Sequence, residues 1–305
     1  MRYKQISELI HMENPEDLFD EVKVIFGLIF PDFNIAPVAN ALTVTVNLFN
    51  GRYPGYRACN TEYHNLRHTT DTFLAMARMI HGATLEGETF SERHINLGLI
   101  AALLHDSGYI QSESDLQGTG AKYTASHVQR SIDFFELSGP EFGLSGTEIV
   151  EGRSIILCTD LAVDISTISF ADAQMEIIGK ILSAADLLSQ MSDRAYLEKL
   201  LFLYYEFKEA KVGDYESEVD LLRKTVGFYD IISQRFETTL NSTDRFMRLH
   251  FASRWNIHVN LYHEAIENQK KYLKQILEMP DSDARDHLKR DGIVDRIREK
   301  YGEQG

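Results

Sequence analysis

Cysteine is almost missing: Cys59 and Cys158 are the only two in 305 residues. Two scattered thiols build neither a disulfide framework nor a cysteine-rich metal site, which fits a reducing compartment. Proline is scarce as well (Pro15, Pro31, Pro37, Pro54, Pro140 and Pro280), so long stretches escape the residue that breaks helices. No apolar run is long enough to cross a bilayer. The opening stretch, MRYKQISELIHMENPEDLF, has no basic region followed by an apolar run. The expectation is a cytoplasmic protein without a membrane partner. Positive charge is short too: 31 Lys and Arg stand against 46 Asp and Glu, a formal net charge of −15. Such a surface repels nucleic-acid backbones and anionic lipid, and no basic stripe with interleaved aromatics offsets it. A small anionic substrate is admitted only where local positive charge, such as bound metal, overrides the general field.

What is present is a hydrophobic content of 44%, ample for a sizeable core. Helical periodicity dominates. INLGLIAALLHDSGY places Leu97, Ile100, Ala101 and Leu104 on one face, and EIVEGRSIILCTD, AQMEIIGKILSAADLLSQM and AYLEKLLFLYYEFKEA repeat the pattern. The run from Phe246 to Leu277 reads as one long helix, on which His250, His258 and His263 are structural. TVTVNLF at 43–49 is the best strand-like fragment, equally readable as buried helix. Loop signals fall at 50–57, 82–91, 111–121, 138–147 and 211–217. No linker and no internal repeat divides the chain. The expectation is therefore all-α: an N-terminal helical subdomain (1–50) packed on one core domain (51–279), then a charged peripheral segment (280–305).

Three clusters carry the candidate chemistry. The first is Tyr63-His64-Asn65-Leu66-Arg67-His68-Thr69-Thr70-Asp71, where a helix puts His64 and His68 one turn apart on a shared face, with Asp71 beside them. In the second, an apolar helix ends in His105-Asp106-Ser107-Gly108-Tyr109, two metal-ligand types side by side. The third sets Asp186 inside the apolar Ile181–Leu188, where an unpaired carboxylate costs several kcal/mol. His68, His105, Asp106 and Asp186 together suit Zn²⁺, Mn²⁺ or Fe²⁺ with an oxygen-bridged second ion. Water bridging such ions turns nucleophilic at neutral pH, and His64 is left free to protonate a leaving alkoxide.

In this order the residues resemble the HD-domain phosphohydrolases. The first segment resembles the Tyr-His-Asn-x-x-His-x-x-Asp of class I cyclic nucleotide phosphodiesterases. Leu157-Cys158-Thr159-Asp160-Leu161, Ala184-Ala185-Asp186-Leu187 and Val226-Gly227-Phe228 resemble further segments of that family, over roughly residues 55–260. The resemblance implies a compact multi-helix bundle of that type. It implies two divalent ions, Zn²⁺ or another transition metal at the first site and Mg²⁺ or Mn²⁺ at the second. His68, His105, Asp106 and Asp186 would hold the first ion, Asp106 would reach the second, and His64 would be the general acid. Asp71 would orient a histidine. His127 and Asp160 would support the site, and Tyr63, Thr225 and Phe228 would contact the substrate. That substrate would be a cyclic nucleotide or related small phosphoester, with a homodimer as the oligomer to test for.

The sequence also departs from the family. Ser107-Gly108-Tyr109-Ile110 follows His105-Asp106 where the family has x-x-His-Pro, Thr225 replaces a base-reading glutamine, and Asp186-Leu187-Leu188-Ser189-Gln190 lacks the family's asparagine. These departures keep two alternatives open: another HD-type nucleotide phosphohydrolase, or a ligand-sensing HD domain without turnover.

Overall fold

The computed structural model describes residues 5–10, 14–279 and 284–302. Among them it contains twelve α-helices, single 3₁₀ turns and two isolated β-bridges, with no strand. No described helix is long and apolar enough to cross a membrane.

The axis of the fold is α3 (Leu66–Glu86), in which every residue from His68 to Ala83 is buried. Helices α1 (Pro15–Ile29), α4 (Glu92–Leu104), α7 (Ala173–Ser192) and α10 (Phe246–Trp255) surround it. Helix α2 (Ala36–Phe49) packs against α4 and therefore lies outside this first ring. It contains the strand-like 43–49. Its β-branched alternation yields to Pro37 in the first turn, and Thr45 returns its hydroxyl to Ala41 O at 2.8 Å within the helix.

Two expected boundaries move. The loop expected at 82–91 begins later, because α3 runs through Gly82 and ends at Gly87, whose φ of 113° suits glycine. Gly82 is where α3 and α10 nearly touch: a Cβ there would lie 1.9 Å from Phe246 O. The run from Phe246 to Leu277 is two helices, not one. Asn256 ends α10 in a left-handed conformation, and Asn260 caps α11 (Leu261–Leu277). His258 is thus exposed in the link between helices rather than on a helix.

At the α3–α10 junction, Arg78 is fully buried. Its guanidinium lies 5.6–5.9 Å from the rings of Phe251, Trp255 and Tyr262 and donates to Tyr262 Oη at 2.8 Å. One turn on, His81 Nδ1 and His250 Nδ1 share a proton-bearing contact of 3.0 Å.

The outer layer is α5 (His127–Ser138), α6 (Gly146–Leu157), α8 (Tyr196–Ala210), α9 (Glu218–Glu237) and α12 (Ile293–Tyr301). The C-terminal segment is tied to α8 and α9. Arg285 makes a buried two-pronged ion pair with Glu218 (2.7 Å each), and Tyr301 stacks on Tyr205 at 3.6 Å. Residues 280–283 and 303–305 of the expected peripheral segment lie outside the described residues.

Candidate metal centre

The expected ligands come from three helices: His68, His105 and Asp106 close into one cluster, and Asp186 stands against its two histidines. Asn65 caps α3 by accepting from His68 N at 3.2 Å, which starts the helix so that His68 points inward. His64 therefore precedes the helix and sits in the turn before the cap, so the expected shared helical face does not form. Helix α4 delivers its apolar stripe to the interior and stops at His105. Asp106 follows with φ −107° and ψ 6°, turning its side chain the same way. Gly108 is required just beyond. A Cβ would fall 2.0 Å from His127 O, while its N–H donates to Ser131 Oγ at 2.9 Å. Asp186 comes from the middle of α7, which is pinned to α3 by the Thr72–Ser189 hydroxyl contact of 2.8 Å.

The donor atoms of His68, His105 and Asp106 all lie within 4.8 Å of one another. His68 Nε2 is 3.3 Å from His105 Nε2, 3.3 Å from Asp106 Oδ2 and 3.0 Å from Asp186 Oδ1. His105 Nε2 is 3.4 Å from Asp106 Oδ2 and 3.6 Å from Asp186 Oδ1. With metal–ligand bonds of about 2.1 Å, neighbouring ligands stand about 3.0 Å apart in an octahedron and about 3.4 Å apart in a tetrahedron. The five separations that involve a histidine span that range.

Tautomers fit too. His105 Nδ1 donates to Ala102 O at 2.9 Å, which turns Nε2 and its lone pair toward the cluster. Asp106 Oδ2 is buried and has no hydrogen-bond partner, as a ligand oxygen should when its cation is not counted.

The electrostatics ask for positive charge. Burial pushes the His68 imidazole toward its neutral form, but the Asp106 and Asp186 carboxylates, at 3.3 and 3.0 Å from its Nε2, outweigh it and lift its pKa to about 10. His105 is also raised: burial opposes it and is outweighed by the same two carboxylates. Burial works against the charged forms of Asp106 and Asp186, yet the imidazoles hold both well below the ordinary carboxylate range. A divalent cation would replace these protons as the counter-charge.

Beside the cluster stands a second unit. His64 Nδ1 lies 2.7 Å from Glu206 Oε2, and Glu206 Oε1 accepts from Glu62 N and Tyr63 N at 2.9 and 2.8 Å. The other ring nitrogen, His64 Nε2, lies 3.5 Å from Tyr109 Oη. The His64 ring stacks on Tyr109 at 4.2 Å, and Tyr109 stacks in turn on His127 at 4.6 Å. His127 Nδ1 is engaged by Thr124 O at 2.7 Å, and its Nε2 comes within 3.8 Å of Asp106 Oδ1. Burial, the largest influence, lowers its pKa and keeps that nitrogen a lone-pair donor.

Other expected residues stand elsewhere. Asp71 is buried and raised to about 7, by burial first and then by the Asp193 charge. Its Oδ1 has no partner, and it makes no hydrogen bond to a histidine. Asp160 caps its own turn through Ala162 N at 2.9 Å, outside the cluster. Tyr63 is buried and spends its hydroxyl on Gln190 Oε1 at 3.1 Å. Thr225 is buried on α9 and returns its hydroxyl to Leu221 O at 2.8 Å, and Phe228 packs half-buried against the core. Among the described residues no hydrogen bond or ring contact joins either to the cluster. An open cleft of about 360 Å³ between α5 and the turn after Asp106 is lined by Ser107, Gly108, Arg130 and Phe134, and by no donor residue.

Glu206 and Gln190 were not anticipated. The signal for Glu206 was a carboxylate following Phe202 and Leu203 on the buried face of α8; Gln190 gave none.

Residues 115–249 match the model of the Npun_R2479-like family. That segment contains His127, Asp186, Gln190 and Glu206 and ends short of His64, His68, His105 and Asp106 on the N-terminal side. No curated protein matches the chain.

Proposed function

We propose that this chain is a metal-dependent phosphoric ester hydrolase of the HD type, acting on a small nucleotide or related phosphoester. One observation carries the reading: His68 and His105 lie within 3.0–3.6 Å of each other and of the carboxylates of Asp106 and Asp186, directly beside a carboxylate-held histidine. When bound, the divalent cation supplies an acidified water and a counter-charge for the phosphate. His64, oriented by Glu206, holds a proton at Nε2 for the departing oxygen. His127 Nε2 and Asp106 Oδ1, 3.8 Å apart, would be the donors available to a second ion.

The alternative of a linear-nucleotide phosphohydrolase gains from the fate of the base readers. Tyr63 is buried and committed to Gln190, and Thr225 is committed to its own helix. Little remains to distinguish a cyclic substrate by its base, so recognition would rest on the phosphate.

The test is metal analysis together with a panel of cyclic nucleotides, linear nucleotides and nitrophenyl phosphoesters, with added Mn²⁺, Mg²⁺ or Zn²⁺. Turnover should appear on part of the panel. Asp186→Asn should lose metal and turnover together, while His64→Ala should keep metal and lose about 10²–10⁴-fold in rate. A protein that takes up no metal and is inert on the whole panel overturns the reading in favour of a non-catalytic domain.

A further inference from the structure

Gln190 enters the sequence reading only as the end of Asp186-Leu187-Leu188-Ser189-Gln190, with no role expected of it, yet its amide lies against the donor cluster. It follows Asp186 by one turn of α7. Its Nε2 donates to Asp186 Oδ1 at 2.5 Å and stands 3.3 Å from His68 Nε2, while Oε1 accepts from Tyr63 Oη at 3.1 Å. The 3.3 Å to His68 Nε2 equals the spacing between His68 and His105, while the 2.5 Å to Asp186 Oδ1 is the shorter span of a hydrogen bond. Relative to His68, one atom of the amide stands where a neighbouring ligand of the same cation would.

The orientation of that amide depends on what it faces. Toward a bare carboxylate oxygen, the NH₂ end is correct. Toward a cation it is the wrong end, because Asp186 Oδ1 would then give its lone pair to the ion and the N–H groups would face positive charge. A half-turn about the last side-chain torsion, which is broad and roughly two-fold, exchanges nitrogen for oxygen without moving the helix. The partner at the other end tolerates the exchange: the Tyr63 hydroxyl donates to Oε1 in one state and accepts from Nε2 in the other.

We propose that Gln190 is a further metal-ligand residue. With a divalent cation among His68, His105, Asp106 and Asp186, its amide turns so that Oε1 faces the ion and Nε2 donates to Tyr63. This rests on the metal-centre reading above and deepens it. A neutral amide oxygen added to two carboxylates raises the oxygen share of the donor set, favouring Mn²⁺ or Mg²⁺ relative to Zn²⁺. Tyr63 then serves the site as the residue that holds the turned amide.

The test is calorimetric titration of metal-stripped protein with Mn²⁺ and with Zn²⁺, alongside the visible absorption of the Co²⁺-loaded form. Wild type, Gln190→Leu, Gln190→Glu and Tyr63→Phe are compared, with thermal melts confirming that each folds. Gln190→Leu should weaken Mn²⁺ binding about 10- to 100-fold, the usual cost of losing such a partner, and weaken Zn²⁺ binding less. Its Co²⁺ spectrum should intensify as the coordination number drops. Gln190→Glu should restore Mn²⁺ affinity, and Tyr63→Phe should fall between wild type and Gln190→Leu. Unchanged Mn²⁺ affinity and an unchanged Co²⁺ spectrum in Gln190→Leu, with wild type binding metal, overturn this inference and leave the metal centre standing. If wild-type protein takes up no divalent metal, both fall.

Discussion

Replacing Glu206 by glutamine isolates one charge. The carboxylate does two jobs: Oε1 accepts from two backbone N–H groups, and Oε2 faces His64 Nδ1 at 2.7 Å. Glutamine is nearly isosteric, and its carbonyl oxygen keeps both backbone bonds, so the turn carrying His64 should hold its shape. What disappears is the negative charge beside the imidazole. A hydrogen bond to a charged group contributes about 1.5–3 kcal/mol, and in this pair it holds the imidazole in place. The rate should then fall about 10- to 150-fold at each tenfold step per 1.36 kcal/mol. The loss should depend on the leaving group. Alkoxide departure needs the proton, whereas p-nitrophenolate leaves without one. The assay is kcat on an alkyl and a p-nitrophenyl phosphoester, with metal content and melting temperature measured in parallel. An equal loss on both esters, or no loss on either while metal is retained, refutes the assignment of Glu206 as the residue that positions His64.

Two further predictions concern stability. Burial, helped by the Arg254 charge, lowers His81 to about 4, and burial with Arg78, His81 and Arg254 holds His250 well below its usual range. The unfolded chain binds protons near pH 6.5 that the native pair refuses, so the stability this pair provides is complete above pH 6.5 and is lost as pH falls toward 4. For His81 alone the loss is about 3 kcal/mol. Urea unfolding at pH 7.5 and 4.5 should show it, and His250→Gln should flatten the difference; an identical pH slope in that variant counts against the pair. Gly82→Ala should destabilise by about 1–3 kcal/mol, because its methyl meets the Phe246 carbonyl. Gly227→Ala, with nothing within 4 Å, should gain up to about 1 kcal/mol. Denaturation midpoints of the two variants should move in opposite directions.

The helical class was legible, and so was the set of residues worth watching, because each left a local trace: a histidine spacing, a polar pair ending an apolar helix, a carboxylate on an apolar stripe. What stayed hidden depends on distance in sequence. Glu206 meets His64 across 142 positions, and nothing near either residue announces the other. His64 was assigned to a helix because Asn65 can sit inside one as well as cap one, and only its bond to His68 N decides. The substrate contacts expected of Thr225 and Phe228 were carried by motif position alone. A one-turn hydroxyl bond suffices to turn Thr225 back on its own helix. The segment 43–49 stayed open between strand and buried helix because alternating β-branched residues suit an extended chain, and what decides for helix is Pro37 in the first turn and the Thr45 hydroxyl bonded to Ala41 O.

A helix with no outside has no positions for chance to work on. Sixteen consecutive residues of α3, from His68 to Ala83, meet other parts of the chain on every side. A saturation library should therefore show the usual three-to-four-residue rhythm of tolerated change in α1 and α11 and almost none along this stretch. Drift among descendants of this sequence would gather on the outer helices, and the spacing between His68 and the His81–His250 contact would outlast most of the surface around it.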